Sequence, residues 1–233
     1  MSAAQVVTLV LLPGMDGTGE LFAGFVAALG DELVTQVISY PPELKLDYEA
    51  LEQFVRQRLP RDGAFILLGE SFSGPVAIAI AAAPPPGLIG LILCCTFART
   101  PVPLLRFLRP LVSILPISGR LTSLLAPFLL GQHASRELRN NLQRALALVP
   151  VSTLRMRLRA VLDVDYCARL GQVRLPVLYL QARRDLVVPS SAARLVASLC
   201  PHAELASFDA PHLLLQTSPS DSAKVVKVFC NAR

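Results

Sequence analysis

The chain alternates between short apolar runs and longer stretches in which apolar residues recur at three- and four-residue spacing. Val6 to Leu12 is the first short run; Pro13 and Gly14 end it, so it reads as a buried strand feeding a turn. Asp16, Gly17, Thr18 and Gly19 continue that turn, and Glu20 to Leu29 has helical spacing. Further strands are predicted at Val34–Ser39, Ala64–Leu68, Leu88–Cys95, Pro176–Ala182 and Ala203–Phe208. Further helices are predicted at Tyr48–Leu59, after Gly69 and through Ala83, at Ser190–Leu199 and at Pro219–Cys230. Strands that are apolar throughout, each followed by a helix, argue for an α/β fold with a mostly parallel sheet and helices on both faces.

Between Ala98 and Asp165 the rhythm changes. Prolines at 101, 103, 110, 116, 127 and 150 divide a leucine- and arginine-rich stretch into helical pieces with no convincing strand. It reads as an inserted helical cap, with residues 1–97 and 166–233 forming the core. The uncharged run from Gly74 to Ala98 is long enough to span a bilayer as one helix, but Pro84, Pro85 and Pro86 interrupt it, so no membrane span is expected. Val6 to Leu12 has no basic residue before it and no small-residue cleavage site after it, which argues against a secretory signal. The five cysteines are odd in number and lack a CxxC pair, and the three histidines are scattered. A reducing cytoplasm is therefore expected, with no metal and no cofactor.

Four clusters carry candidate chemistry, and all fall at the carboxyl ends of predicted strands, where open parallel sheets place their sites. Gly69, Glu70, Ser71, Phe72, Ser73 and Gly74 lie between a strand and a helix. A nucleophilic serine needs a tight turn with small neighbours and a helix N-terminus behind it. The alternative is a serine and glycine turn that merely opens a packed helix. Pro13, Gly14, Met15, Asp16 and Gly17 end the first strand, where backbone amides could stabilise an oxyanion, or where glycines could simply cap a helix. Asp185 follows the strand at Pro176–Ala182 and is either the carboxylate that orients a histidine or an ion-pair partner of Arg183 or Arg184. His212 follows the last strand and is a candidate general base. His133 lies in the cap and His202 precedes the last strand, at its wrong end.

With the chain order Ser71, Asp185, His212, the sequence resembles the α/β-hydrolase family across nearly its whole length. The resemblance is carried by Pro13 and Gly14 at the strand end, the GESFSG elbow, the RDLVVP acid loop and the APH motif. It implies Ser71 as nucleophile, His212 as base, Asp185 as acid, and the backbone amides of Met15 and Phe72 as the oxyanion hole. Two positions depart from the family pattern: Pro13 stands where many members have histidine, and Ser73 where most have glycine. The family's first antiparallel strands are expected to be absent or reduced.

A serine nucleophile implies acyl transfer through an acyl-enzyme. The expected activity is hydrolysis of small carboxylic esters with short to medium acyl chains. Acyltransferase or thioesterase chemistry, and a non-catalytic ligand-binding protein on the same scaffold, are the alternatives. Residues 98–165 hold ten arginines and no lysine against three acids, while the whole chain carries +5. That cluster is compatible with an acidic carrier protein docking on the cap, or with a compositional preference for arginine over lysine. A nucleic-acid partner is not expected, because Phe97, Phe107, Phe128 and Tyr166 are too widely spaced to interleave with the basic residues. Cys95 and Thr96, ending the fourth strand, are read as buried packing or pocket lining.

Overall fold

The computed structural model describes residues 7–103, 107, 112, 126–131 and 135–233. Val6, predicted to open the first strand, and His133 lie outside the described residues. Six strands form one sheet: β1 Thr8–Leu12, β2 Val34–Val37, β3 Phe65–Glu70, β4 Leu88–Cys94, β5 Val177–Ala182 and β6 Glu204–Phe208. Their spatial order is β2-β1-β3-β4-β5-β6, and every neighbouring pair is parallel. The fold is α/β with an all-parallel sheet.

The central strands bury both faces, and their side chains alternate between two cores. Val10, Leu12, Phe65, Leu67, Leu91 and Leu93 face one core, which the helices Tyr48–Arg56, Gly74–Ala82 and Ser190–Leu199 complete. Leu9, Leu11, Ile66, Leu68, Ile92 and Cys94 face the other, closed by the helices Ala23–Leu29 and Pro219–Asn231. This two-sided burial is why the central strands read as continuous apolar runs. The edge strands differ. β2 and β6 each have one neighbour and no fully buried residue, and Val34 and Leu205 are exposed.

Helix ends follow local chemistry. The Asp47 carboxylate accepts the Ala50 amide at 2.9 Å and caps the helix that begins at Tyr48. That helix stops at Arg56, short of the predicted Leu59, although Leu59 stays buried. The segment Gly74–Ala98 divides into the helix Gly74–Ala82, a proline-containing turn and β4. No described helix is long and apolar enough to cross a membrane.

Between β4 and β5 the described residues carry helices at 126–130, Arg136–Ala147 and Val151–Asp163. The chain leaves and re-enters the sheet region at one place, where Arg99 and Asp165 form an isolated antiparallel bridge. The Thr100 amide donates to Val164 O at 3.0 Å there, and the Tyr166 amide to Ala98 O at 2.7 Å. Ala126, Leu130 and Leu142 of this segment bury against Leu213.

The turn after β3 constrains the residues around it. A Cβ on Gly69 would lie 2.8 Å from both the Ser73 carbonyl oxygen and the Ala77 Cβ, and the first of these is backbone that cannot rotate away. Gly69→Ala is therefore expected to destabilise the fold by about 1–3 kcal/mol. Equilibrium denaturation in urea measures this.

Candidate active site

The turn between β3 and the helix Gly74–Ala82 is a single 3-10 turn, Ser71–Ser73. Ser71 has φ +48°, in the left-handed region that non-glycine residues adopt only at some cost. The Thr96 hydroxyl, from the chain just beyond β4, donates to the Ser71 carbonyl, and the Tyr179 hydroxyl donates to Thr96 O at 2.6 Å. Thr96 is fully buried and braces the turn from behind; Cys95 is also buried.

Ser71 Oγ lies 2.8 Å from His212 Nε2. His212 Nδ1 lies 2.7 Å from Asp185 Oδ2, and both side chains are almost wholly enclosed. A carboxylate can only accept, so Nδ1 carries the proton and Nε2 presents its lone pair to the serine hydroxyl. The other carboxylate oxygen, Asp185 Oδ1, accepts the amides of Val187 and Val188, each at 2.8 Å, which fixes the carboxylate toward the histidine. Arg184 does not pair with Asp185. It makes a bidentate pair with Asp209, with Nε–Oδ1 2.6 Å and Nη2–Oδ2 2.5 Å, tying the loop after β5 to the loop after β6. His202 is elsewhere: its Nε2 donates to Leu175 O at 3.0 Å.

After β1, the Gly17 amide donates to Gly14 O at 3.0 Å and closes a turn over Met15 and Asp16. The Met15 amide donates to nothing among the described residues. Phe72, in the first turn of its helix, likewise has no carbonyl behind it to accept its amide. The Asp16 carboxylate is buried and turned inward to Thr18, accepting its amide at 2.9 Å and its hydroxyl at 2.6 Å.

The two departures from the family pattern meet each other. The Ser73 hydroxyl donates to the Pro13 carbonyl and accepts from the Tyr40 hydroxyl at 2.5 Å. Serine at 73 thus links the elbow to the loop after β1, and Tyr40, which the sequence did not single out, completes the link. Burial pushes the Tyr40 phenol pKa up, which keeps its hydroxyl a donor.

A second residue that sequence reasoning missed is Arg157, on the helix Val151–Asp163. It is 1% exposed and donates to two carbonyls of the loop after β1. The available signal was its place in the buried stripe of Leu154, Arg157 and Val161, a spacing that turns one arginine of the run inward. The positive charge of residues 98–165 is therefore partly internal. Among the described residues, no three histidine, cysteine or carboxylate side chains converge as metal ligands would.

The family described as Hydrolase_4, serine aminopeptidase S33, matches residues 42–213, well over half of the chain. The chain belongs to this α/β-hydrolase family. Solved structures resemble the hydrolase over nearly its full length. An enol-lactonase from Burkholderia xenovorans superposes with a TM-score of 0.83 at 17% identity, covering 99% of this chain and 94% of that one. A hydrolase from Pseudomonas aeruginosa gives 0.81 at 21% identity, with 99% and 92% covered. An esterase from Exiguobacterium antarcticum gives 0.81 at 14%, with 98% and 93% covered. At these identities the likeness is one of fold. No curated protein matches the hydrolase in sequence.

Glu70 precedes the serine and is buried, with Gln216 Nε2 donating to its Oε1 at 3.0 Å. Burial raises its pKa from the ordinary 4.5 to about 7; Gln216 and His212 oppose the shift, and Asp16 adds to it. The folded state then holds a proton that the unfolded chain releases from about pH 4.5 upward. Stability from this group is complete below 4.5 and is lost as pH rises to about 7. Glu70→Gln should remove a loss on the order of 3 kcal/mol across that window. Melting temperatures of the two proteins from pH 4.5 to 8 test it, with the gap growing up to about 7 and level beyond.

Proposed function

We propose that this hydrolase cleaves carboxylic esters through an acyl-enzyme on Ser71, with His212 as general base and acid and Asp185 as the group that orients it. The observation that carries the reading is the unbroken run of short contacts from Ser71 Oγ to His212 Nε2 at 2.8 Å, and from His212 Nδ1 to Asp185 Oδ2 at 2.7 Å. In the first step Ser71 Oγ attacks the acyl carbon while His212 Nε2 takes the hydroxyl proton. The resulting oxyanion forms against the amides of Met15 and Phe72, which have no other partner among the described residues to give up. The tetrahedral adduct collapses, and His212 returns the proton to the departing alkoxide, leaving the acyl group on Ser71. Water then attacks that ester, His212 takes its proton, and the carboxylic acid leaves as the proton returns to Ser71.

Residues 98–165 are read as the cap over this site, on a core of 1–97 and 166–233. Support comes from the bridge between Arg99 and Asp165, which closes the segment on itself, and from the packing of its helices on Leu213, next to the proposed base. Its leucine and proline content favours an apolar acyl group of short to medium length.

A chain-length series of p-nitrophenyl esters, extended by an enol lactone, tests the reading. Wild type should prefer short to medium chains, and a rate rising steadily into long chains would remove that part of the proposal. Ser71→Ala should lose about 10⁵–10⁶-fold in kcat. Asp185→Asn should lose about 10⁴-fold, because the amide presents the histidine in the wrong tautomer. Retained turnover in Ser71→Ala, or a wild type whose Ser71 takes no fluorophosphonate label, would overturn the reading.

A further inference from the structure

Arg157 is the largest fully buried side chain of the described residues, although it sits mid-helix in a run of three alternate arginines. A guanidinium keeps its charge under almost all conditions, so its enclosure must be offset by hydrogen bonds and favourable fields. Its Nη1 donates to Met15 O at 2.7 Å and to Asp16 O at 2.8 Å, contacts that span 142 and 141 residues of sequence. The guanidinium carbon lies 5.8 Å from the Tyr40 ring centroid and 5.9 Å from that of Phe72, close enough for the ring faces to favour a cation. Burial draws the Arg157 pKa down, and Tyr40 and Asp16 counter this.

Room for the group comes from Gly17. A Cβ there would stand 2.6 Å from Nη1 and 2.8 Å from Nη2, and its φ of +71° is itself a glycine conformation.

Peptide units are planar, so holding a carbonyl oxygen also aims the N–H across the same bond. Three peptides make the turn after β1. The first joins Gly14 to Met15; its carbonyl is held by the Gly17 amide, and its N–H is that of Met15. Arg157 holds the carbonyls of the other two, Met15–Asp16 and Asp16–Gly17. All three planes are therefore fixed, two of them by a side chain from the segment between β4 and β5.

We propose that Arg157 is the positioning residue of the oxyanion loop: reaching in from the cap, it locks the turn so that the Met15 amide is aimed at the site before substrate arrives. This rests on the reading of Met15 as an oxyanion donor. Donors fixed in advance need no reorganisation as charge develops, so the effect appears in the transition state more than in the ground state.

The test compares wild type, Arg157→Met and Arg157→Lys. In Arg157→Met, kcat should fall about 10²-fold with KM changed little, the signature of a lost oxyanion donor. Affinity for a trifluoromethyl ketone transition-state analogue should fall by about the same factor, and Arg157→Lys should recover about tenfold of it. Amide hydrogen exchange at residues 14–17 should speed up in Arg157→Met while β3 and β4 stay protected. A folded Arg157→Met with kcat and analogue affinity within about threefold of wild type would overturn the proposal, as would unchanged exchange at residues 14–17. Should Arg157→Met fail to fold, Gly17→Ala crowds the same guanidinium and must lower kcat with KM kept; wild-type kcat in that variant counts against the proposal. A wild type with neither turnover nor label on Ser71 would sink the hydrolase reading alone, since the exchange rates at 14–17 still decide whether Arg157 holds the loop.

Discussion

At Ser71 the backbone enters the left-handed region, with φ +48°, at a cost of about 1–3 kcal/mol, and much of the nearby sequence holds it there. Gly69 leaves space for the Ser73 carbonyl and Ala77, and Gly74 leaves space for Thr96. Thr96 reaches over from the end of β4 to the Ser71 carbonyl, and Ser73 reaches the Pro13 carbonyl at the end of β1. β3 lies between β1 and β4, so the turn is gripped from both neighbouring strands. A parallel sheet makes this possible because all its carboxyl ends finish on one side.

The same geometry brings together charges far apart in sequence. Glu70 and Asp16 lie beneath the serine as buried carboxyl groups, and Arg157 is the buried cation nearest the loop that holds Asp16. Glu70 carries its proton into the neutral range chiefly because burial disfavours its charged form, with Asp16 adding to the shift. On the outer side, Arg184 and Asp209 join the two loops that bear Asp185 and His212 where water can reach them.

The sheet was legible because burial on both faces writes each central strand as an unbroken apolar run; Phe65–Glu70 and Leu88–Cys94 fall within two residues of where those runs predict them. The residues brought together at Ser71 were legible because each follows a strand, in an order that a known fold uses. Arg157, Ser73, Tyr40 and Thr96 were not legible in the same way. Their roles exist only as contacts across 25 to 142 residues; helical spacing shows which arginine of the run turns inward, but not the two carbonyls it meets. The edge strands are less sharply written: β2, predicted over Val34–Ser39, ends at Val37 and has no fully buried residue, because a strand with one neighbour is covered less completely.

The bridge between Arg99 and Asp165 has a further consequence. A segment whose two ends are fastened side by side makes no demand on the register of β4 against β5, so its length and composition can drift without disturbing the sheet. Change within the segment is in this sense topologically insulated from the scaffold. Arg157 limits that freedom. Wherever the segment changes, one cation must still arrive at the same two carbonyl oxygens, which makes the helix Val151–Asp163 the part of it least open to replacement.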